Sequence, residues 1–275
     1  MMQVADLLFE LGTEELPPKA LLSLSQALGE GIRAGLDNAR LAYGSVHVYA
    51  APRRLAVKVE KLSTQQPDQT LERRGPAWAA AFNEDGTPTK ACEGFARSCK
   101  ARVEDLIALE TDKGKWVAYR STQPGEPASA LLPGIVEKAL DALPIPKRMR
   151  WGASRVEFVR PAHWVVMLLG DQVVDCEVLG LKAGRTTRGH RYHAPEALEL
   201  RTPADYPSVL KDKGYVLADF AERRASIFEQ VTAIARDTGG QAVIDDALLD
   251  EVTALNEWPV AIKGRFDEQF LEVPQ

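Results

Sequence analysis

Residues 8–21 read LFELGTEELPPKAL, and this stretch turns an extended apolar run into a helix within one short corner. Val4 to Glu10 predicts a strand, and the turn that follows leads into Pro17–Pro18, which suit a helix's first turn because no backbone N–H is needed there. Leu21, Leu24, Leu28, Ile32 and Leu36 then make one apolar stripe at helical spacing, predicting a helix over residues 18–37. Glu14 and Glu15 fall where a helix dipole favours negative charge. Adjacent side chains diverge, so the pattern predicts helix-start electrostatics and not a cooperating acid–base pair. Downstream, Val46–Ala50 and Leu55–Leu62 predict two strands joined by Ala51–Pro52–Arg53. The first sixty residues therefore read strand, helix, strand, strand.

The polar stretch Ser63–Arg74 leads to short helices near 76–82 and 89–99, parted by the turn Asn83–Glu84–Asp85–Gly86. Leu106–Glu110 and Lys115–Ser121 flank Asp112–Lys113–Gly114, a hairpin signal. A helix over 128–142 closes at Leu143–Pro144–Ile145–Pro146, the best candidate boundary. Beyond it Trp164–Leu169 and Gln172–Leu181 predict strands across Gly170–Asp171, followed by a basic loop at 184–195. A helix over 219–237 starts at Asp219 and Glu222, spaced as a capping box, and stops at Gly239–Gly240. A second helix spans Asp246 to Asn256, and Val260–Phe266 is strand-like. Helices and hairpins alternate without a regular βαβ rhythm, so the expected class is α+β, with mixed and antiparallel sheets carrying packed helices. The expected organisation is a region 1–145 and a second region 146–275, or one discontinuous domain. Glu272–Gln275 directly follow an apolar patterned segment, as expected of a piece of a longer chain.

The 275 residues are 45% hydrophobic and 27% charged, ordinary for a globular protein. No apolar run is long enough to span a bilayer and no secretory signal opens the chain. Three cysteines without a CxxC fit a reducing cytoplasm and argue against a disulfide framework or zinc site. The net charge of −5 conceals an asymmetry: residues 147–191 hold nine Lys/Arg against four Asp/Glu, whereas 205–275 hold seven against fourteen. A basic band in an acidic protein points to a localised anionic partner, or to arginines paired within the fold.

The sharpest polar cluster is Arg185-Thr-Thr-Arg188-Gly-His190-Arg191-Tyr-His193. Guanidinium forks match phosphate oxygens and Tyr192 offers a stacking face, so Arg185, Arg188, His190 and Arg191 are the first candidates for RNA contact. Arg148, Arg150 and Arg160, interleaved with Trp151, Phe158 and Trp164, are the second, with core packing and snorkelling arginines as the competing account. His163, His190 and His193 lack the carboxylate spacing of a zinc site. No nucleophile elbow, GxGxxG or P-loop is present. The residues themselves thus predict neither a catalytic group nor a metal or cofactor ligand.

Nine strings in register resemble one family: LGTEELPPKAL (11–21), AAPRRLAVKV (50–59), RRGPAWAAAF (73–82), GTPTKACEGFARS (86–98), LPIPKRMRWG (143–152), FVRPAHWVVMLLGD (158–171), GRTTRGHRY (184–192), ADFAERR (218–224) and EVTALNEWPVAIKGRF (251–266). Together they resemble the β subunit of bacterial heterotetrameric glycyl-tRNA synthetase. Leu11, Ala101 and Asn256 depart from its usual residues in packing detail only. The resemblance implies the N-terminal part of a much longer cytoplasmic subunit, inactive alone, with a fold partly similar to the B3/B4 module of the phenylalanyl-tRNA synthetase β subunit. It implies three partners: a catalytic α subunit, where ATP and Mg would bind, tRNA(Gly), and a second β subunit within an α2β2 assembly. The implied role is support of ATP-dependent glycine charging through tRNA binding and scaffolding. Two alternatives stand beside it: a subunit-interaction module that never touches RNA, and a trans-acting aminoacyl-tRNA hydrolase using the Gly189–His193 loop.

Overall fold

The structure is a computed structural model that describes residues 3–112 and 114–272. The chain divides into two units, residues 1–64 with 127–275, and residues 65–126. In the first unit, strand β1 (Val4–Thr13) runs through the corner's first half, and helix α1 (Pro18–Asn38) follows it. Leu21, Leu24, Leu28, Ile32 and Leu36 are all fully buried, the stripe that the spacing predicted. Strands β2 (Val46–Ala51) and β3 (Arg54–Ser63) form a hairpin, and β3 pairs antiparallel with β1.

The second unit holds β4 (Gln69–Ala77), α2 (Trp78–Ala81), α3 (Lys90–Ser98), β5 (Ile107–Thr111) and β6 (Gly114–Gln123). Its sheet runs β4-β6-β5, and Ala81, Cys92 and Val117 form its core with Trp78, Phe82 and Phe95 packed around them. Strand β4 occupies half of what reads as a polar stretch. Its residues are mostly exposed, so it carries no apolar pattern to announce it. Lys113, in the hairpin turn, lies outside the described residues.

The first unit resumes with α4 (Ala128–Asp141), which packs on α1. Gly31 and Gly35 of α1 make that approach possible: a Cβ at Gly35 would stand 2.4 Å from Ile135 Cγ2. The turn Leu143–Pro146 lies within this unit. After it come β7 (Met149–Arg150), β8 (Glu157–Phe158) and β9 (Ala162–Leu169). Strand β9 pairs antiparallel with β1, so two segments about 150 residues apart form the sheet's centre.

Beyond β9 the expected strand Gln172–Leu181 is broken into β10 (Gln172–Val173), β11 (Glu177–Val178) and the start of β12 (Leu181–Gly184). Leu179 and Gly180 both adopt positive φ, 51° and 78°, and that left-handed turn folds β11 back onto β12. The sheet order is β11-β12-β9-β1-β3-β2, with β10 also on β9 and β12 parallel to β9. The basic loop contains β13 (Thr186–Arg188), paired with β14 (Ala197–Glu199), and helix α5 (Tyr206–Asp212) follows. Helices α6 (Phe220–Asp237) and α7 (Asp246–Leu255) close the unit, α6 capped by Asp219, whose carboxylate accepts from the Glu222 N–H at 2.9 Å. Residues 260–266, expected to be strand-like, form no regular element. They follow Pro259, and Val260, Ile262 and Phe266 are exposed without a strand to pair with among the described residues.

The result is an α+β fold whose central sheet is covered on both faces. Leu7, Phe9 and Leu11 join the α1/α4 core, while Leu8 faces a second core with Tyr49, Trp164, Leu200, Tyr206 and Leu210. Side-chain alternation along β1 sends Glu10 to the second face.

Candidate nucleic-acid interface

Glu10 is fully buried, as is Arg54 on the neighbouring strand. Arg54 Nη1 donates to Glu10 Oε1 at 3.1 Å, and Nη2 donates to Glu257 Oε1 at 3.3 Å. Glu10 accepts from Thr187 Oγ1 at 2.9 Å, Tyr206 Oη at 3.0 Å and Trp164 Nε1 at 3.1 Å. Six residues from distant parts of the chain thus share one water-excluded node. Burial alone would depress the Arg54 pKa, but Glu257 and Glu10 outweigh it and raise the pKa above the usual guanidinium value. Burial pushes the Tyr206 phenol up, and Glu10 adds to it, so the hydroxyl stays a donor.

A second arginine from the strings, Arg223, is also fully buried. It donates to the backbone carbonyls of Ala50 at 2.7 Å, Thr253 at 2.9 Å and Leu217, tying β2 to α6 and α7. Burial lowers its pKa to about 10, which still leaves it charged at neutral pH.

Above the node lies the corner itself. Glu14 and Glu15 precede α1, whose first turn contains no acid, so the helix-start account of them is replaced. Contrary to the expected divergence, both carboxylates reach Arg191: Glu14 Oε2 at 3.4 Å and Glu15 Oε1 at 3.6 Å. Glu14 Oε1 also meets His163 Nε2 at 2.9 Å. Burial raises the Glu14 pKa, but the His163 hydrogen bond and the charges of His163, Arg191 and Arg53 more than offset it, and the net shift is downward.

The candidate arginines occupy different situations. Arg185 is half-buried and donates to the carbonyls of Asp171 at 2.9 Å and Leu200 at 3.5 Å, a structural seat. Arg188 is exposed and its guanidinium has no hydrogen bond or ion pair among the described residues. Arg160 donates to the Glu15 carbonyl at 3.0 Å, which brings it to the corner. Arg148 donates to the Asp141 carbonyl at 2.9 Å, and Arg150 pairs with Glu157 at 2.5 Å. Arg150 belongs to the β7–β8 hairpin and Arg148 directly precedes it, and neither is drawn into the cluster around Glu14.

His190 anchors the loop. Its backbone N–H donates to the Gly214 carbonyl at 2.7 Å, and its Nδ1 accepts the backbone N–H groups of Tyr192 and His193 at 3.2 and 3.3 Å. A neighbouring Gly189 is required, since a Cβ there would stand 2.8 Å from the Gly214 carbonyl oxygen. Burial first, then His193, Arg53 and Arg191, push the His190 pKa down despite Glu257. Because the folded pKa lies below the ordinary histidine value of 6.5, the unfolded chain binds the proton first, and loop stability falls as pH falls below about 6.5. Amide-exchange protection at Tyr192 and His193 is therefore expected to decline as pH is taken from 7 to 5, and a flat profile would contradict this account. An aromatic row continues outward, with ring centroids at 4.5 Å for His190–His193, 5.6 Å for His193–Tyr215 and 5.4 Å for Tyr215–Trp258.

Sequence reasoning missed the node and Arg53–Arg54 as site residues. The one available signal was a lone acid inside the apolar run of β1, facing a paired arginine in the next hairpin.

Fold and site together define an α+β module that holds a basic, aromatic-flanked loop over a buried ion-pair node. A family model described as glycyl-tRNA synthetase beta subunit matches residues 7–275. The chain is 60% identical over 269 residues to the glycine–tRNA ligase beta subunit of Hahella chejuensis, covering 98% of this chain and 39% of that relative. It is 61% identical over 268 residues to that of Chromohalobacter salexigens, with 98% and 39% covered, and 53% identical over 275 residues to that of Pseudomonas aeruginosa strain LESB58, with 100% and 39% covered. The chain belongs to the glycyl-tRNA synthetase beta-subunit family, and it spans about 39% of the length of these relatives.

Proposed function

We infer that this chain is a region of a glycine–tRNA ligase beta subunit that supports glycine charging by contacting tRNA(Gly) and bracing the catalytic alpha subunit. In this reading ATP and Mg bind at the alpha subunit, within an α2β2 cytoplasmic enzyme, and this region supplies no reacting group. The observation that carries RNA contact is the presentation of the 184–195 loop. Its root, Thr187, is buried in the node, while Arg188 and Tyr192 stand exposed, Tyr192 at 80%. An unpaired cation and an exposed ring on one loop fit a phosphate backbone with an unstacked base.

Scaffolding is supported by a different surface. Phe228 and Leu248 are exposed on α6 and α7, with Val243 exposed between the two helices, an apolar face of the kind a protein partner covers. Arg188→Ala in the assembled enzyme tests the RNA contact. It is expected to weaken tRNA affinity about three- to tenfold and to flatten the salt dependence by close to one charge. Unchanged affinity and unchanged slope would make the loop a structural feature.

A further inference from the structure

Arg53 and Arg54 are adjacent and both guanidiniums lie against Trp164, 5.7 and 5.6 Å from its ring centroid. Their circumstances are opposite. The terminal nitrogens of Arg54 are engaged by Glu10, Thr187 and Glu257. The Arg53 guanidinium has no hydrogen bond or ion pair among the described residues, and its Nε, like that of Arg54, is buried without a partner. Stacking on an indole engages the flat face of a guanidinium and leaves its in-plane donors unmet. The terminal nitrogens of Arg53 are not shut off from solvent, so they are open to an acceptor arriving from outside.

Its backbone cannot swing away. The Arg53 carbonyl accepts the Thr13 N–H at 2.8 Å, and the adjacent Pro52 carbonyl accepts the Leu16 N–H at 2.7 Å, stitching the β2–β3 turn to the corner. Burial lowers the Arg53 pKa, and the nearby Arg191 and Arg54 lower it further, with Glu257 and Glu14 only partly compensating. Two cations and two carboxylates thus surround Arg53, none of them hydrogen-bonded to its guanidinium. Glu14 and Glu15 are held by Arg191, which is 40% exposed, in solvent-facing pairs of the weakly stabilising kind.

We propose that Arg53 and Arg191 form a receiving site for one phosphate oxyanion, reached when that oxyanion displaces Glu14 and Glu15 from Arg191. A phosphate carries more acceptor oxygens than a carboxylate, so it can satisfy the Arg53 fork and the Arg191 fork together. The two acids act as a placeholder that keeps Arg191 ordered when the site is empty and discourages weak anions. This site rests on the RNA-binding reading only for the source of its ligand: the oxyanion belongs to a tRNA backbone phosphate or to free phosphate.

The test uses the assembled enzyme carrying Arg53→Gln, with Arg53→Lys and Arg188→Ala alongside, each with its thermal midpoint measured. Two titrations are made, tRNA(Gly) across a KCl series and inorganic phosphate at low salt. With tRNA as the source, Arg53→Gln weakens tRNA binding about five- to tenfold and lowers the salt slope by about 0.7–0.9. Arg53→Lys, which keeps the charge without the fork, restores the slope but only part of the affinity. With free phosphate as the source, wild type binds inorganic phosphate, Arg53→Gln loses that binding, and tRNA affinity is unchanged. If Arg188→Ala weakens tRNA binding while Arg53→Gln alters neither titration, the site is refuted and the RNA reading stands. If Arg188→Ala has no effect on tRNA binding but Arg53→Gln abolishes phosphate binding, the site stands and the RNA reading falls. A silent result in every arm removes both.

Discussion

Arg54→Leu is expected to destabilise the first unit by about 3–5 kcal/mol, because it leaves two carboxylates in a water-excluded node without their cation. Glu10 is fully buried and Glu257 nearly so, and both accept from Arg54. Leucine restores part of the lost volume but offers no donor, so the penalty is electrostatic and not a cavity term. Glu10 retains Thr187, Tyr206 and Trp164 as donors, none of them charged at neutral pH. Arg54→Lys should fall between, since one ammonium cannot span the positions that the fork reaches. Urea unfolding followed by far-UV circular dichroism measures the loss. A cost under about 1 kcal/mol, in the range of a surface pair, would mean that water reaches the node. The loss should also loosen the 184–195 loop, because Thr187 is held by Glu10 and lies 3.4 Å from Arg54 Nη1.

What could be read from the chain, and what could not, divides along contact range. The α1 stripe, the β2–β3 hairpin and the Asp219 cap are local patterns, and each appears where the spacing places it. Strand β4 escaped because an exposed strand has no apolar alternation, and the break at Leu179–Gly180 escaped because positive φ at Leu179 leaves no composition signal. The corner shows the limit most clearly. Viewed locally, Glu14 and Glu15 diverge and suit a helix start, yet Arg191, about 175 residues away, collects both. The basic loop was legible as chemistry, but not the sorting of its arginines into a seated Arg185, a paired Arg191 and a free-standing Arg188, which depends on the carbonyls of Asp171 and Leu200 and on the corner. Strings quoted for the family resemblance supply Arg54, Trp164, Thr187 and Glu257 of the node, leaving out Glu10 and Tyr206, so their shared meaning is partly one buried polar site.

Gly12→Ala should cost about 3 kcal/mol, at the upper end for overpacking, although alanine ordinarily improves on glycine in a strand. A Cβ at this position would stand 1.9 Å from Trp164 Cε2 and 2.0 Å from Cδ2, distances at which the ring or the strand must move. The ring has little freedom: Trp164 Nε1 donates to Glu10 Oε2 at 3.1 Å, and both Arg53 and Arg54 lie against the indole. The strand has no more, since β1 is paired with β3 on one side and β9 on the other. Gly12 is thus the residue that lets the indole cross β1 and close the node. A double-mutant cycle with Trp164→Ala isolates this contact. With the indole removed, Gly12→Ala should become neutral or stabilising by up to about 1 kcal/mol, because alanine narrows the unfolded ensemble. Equal penalties in the two backgrounds would place the requirement for glycine in the backbone and not against Trp164.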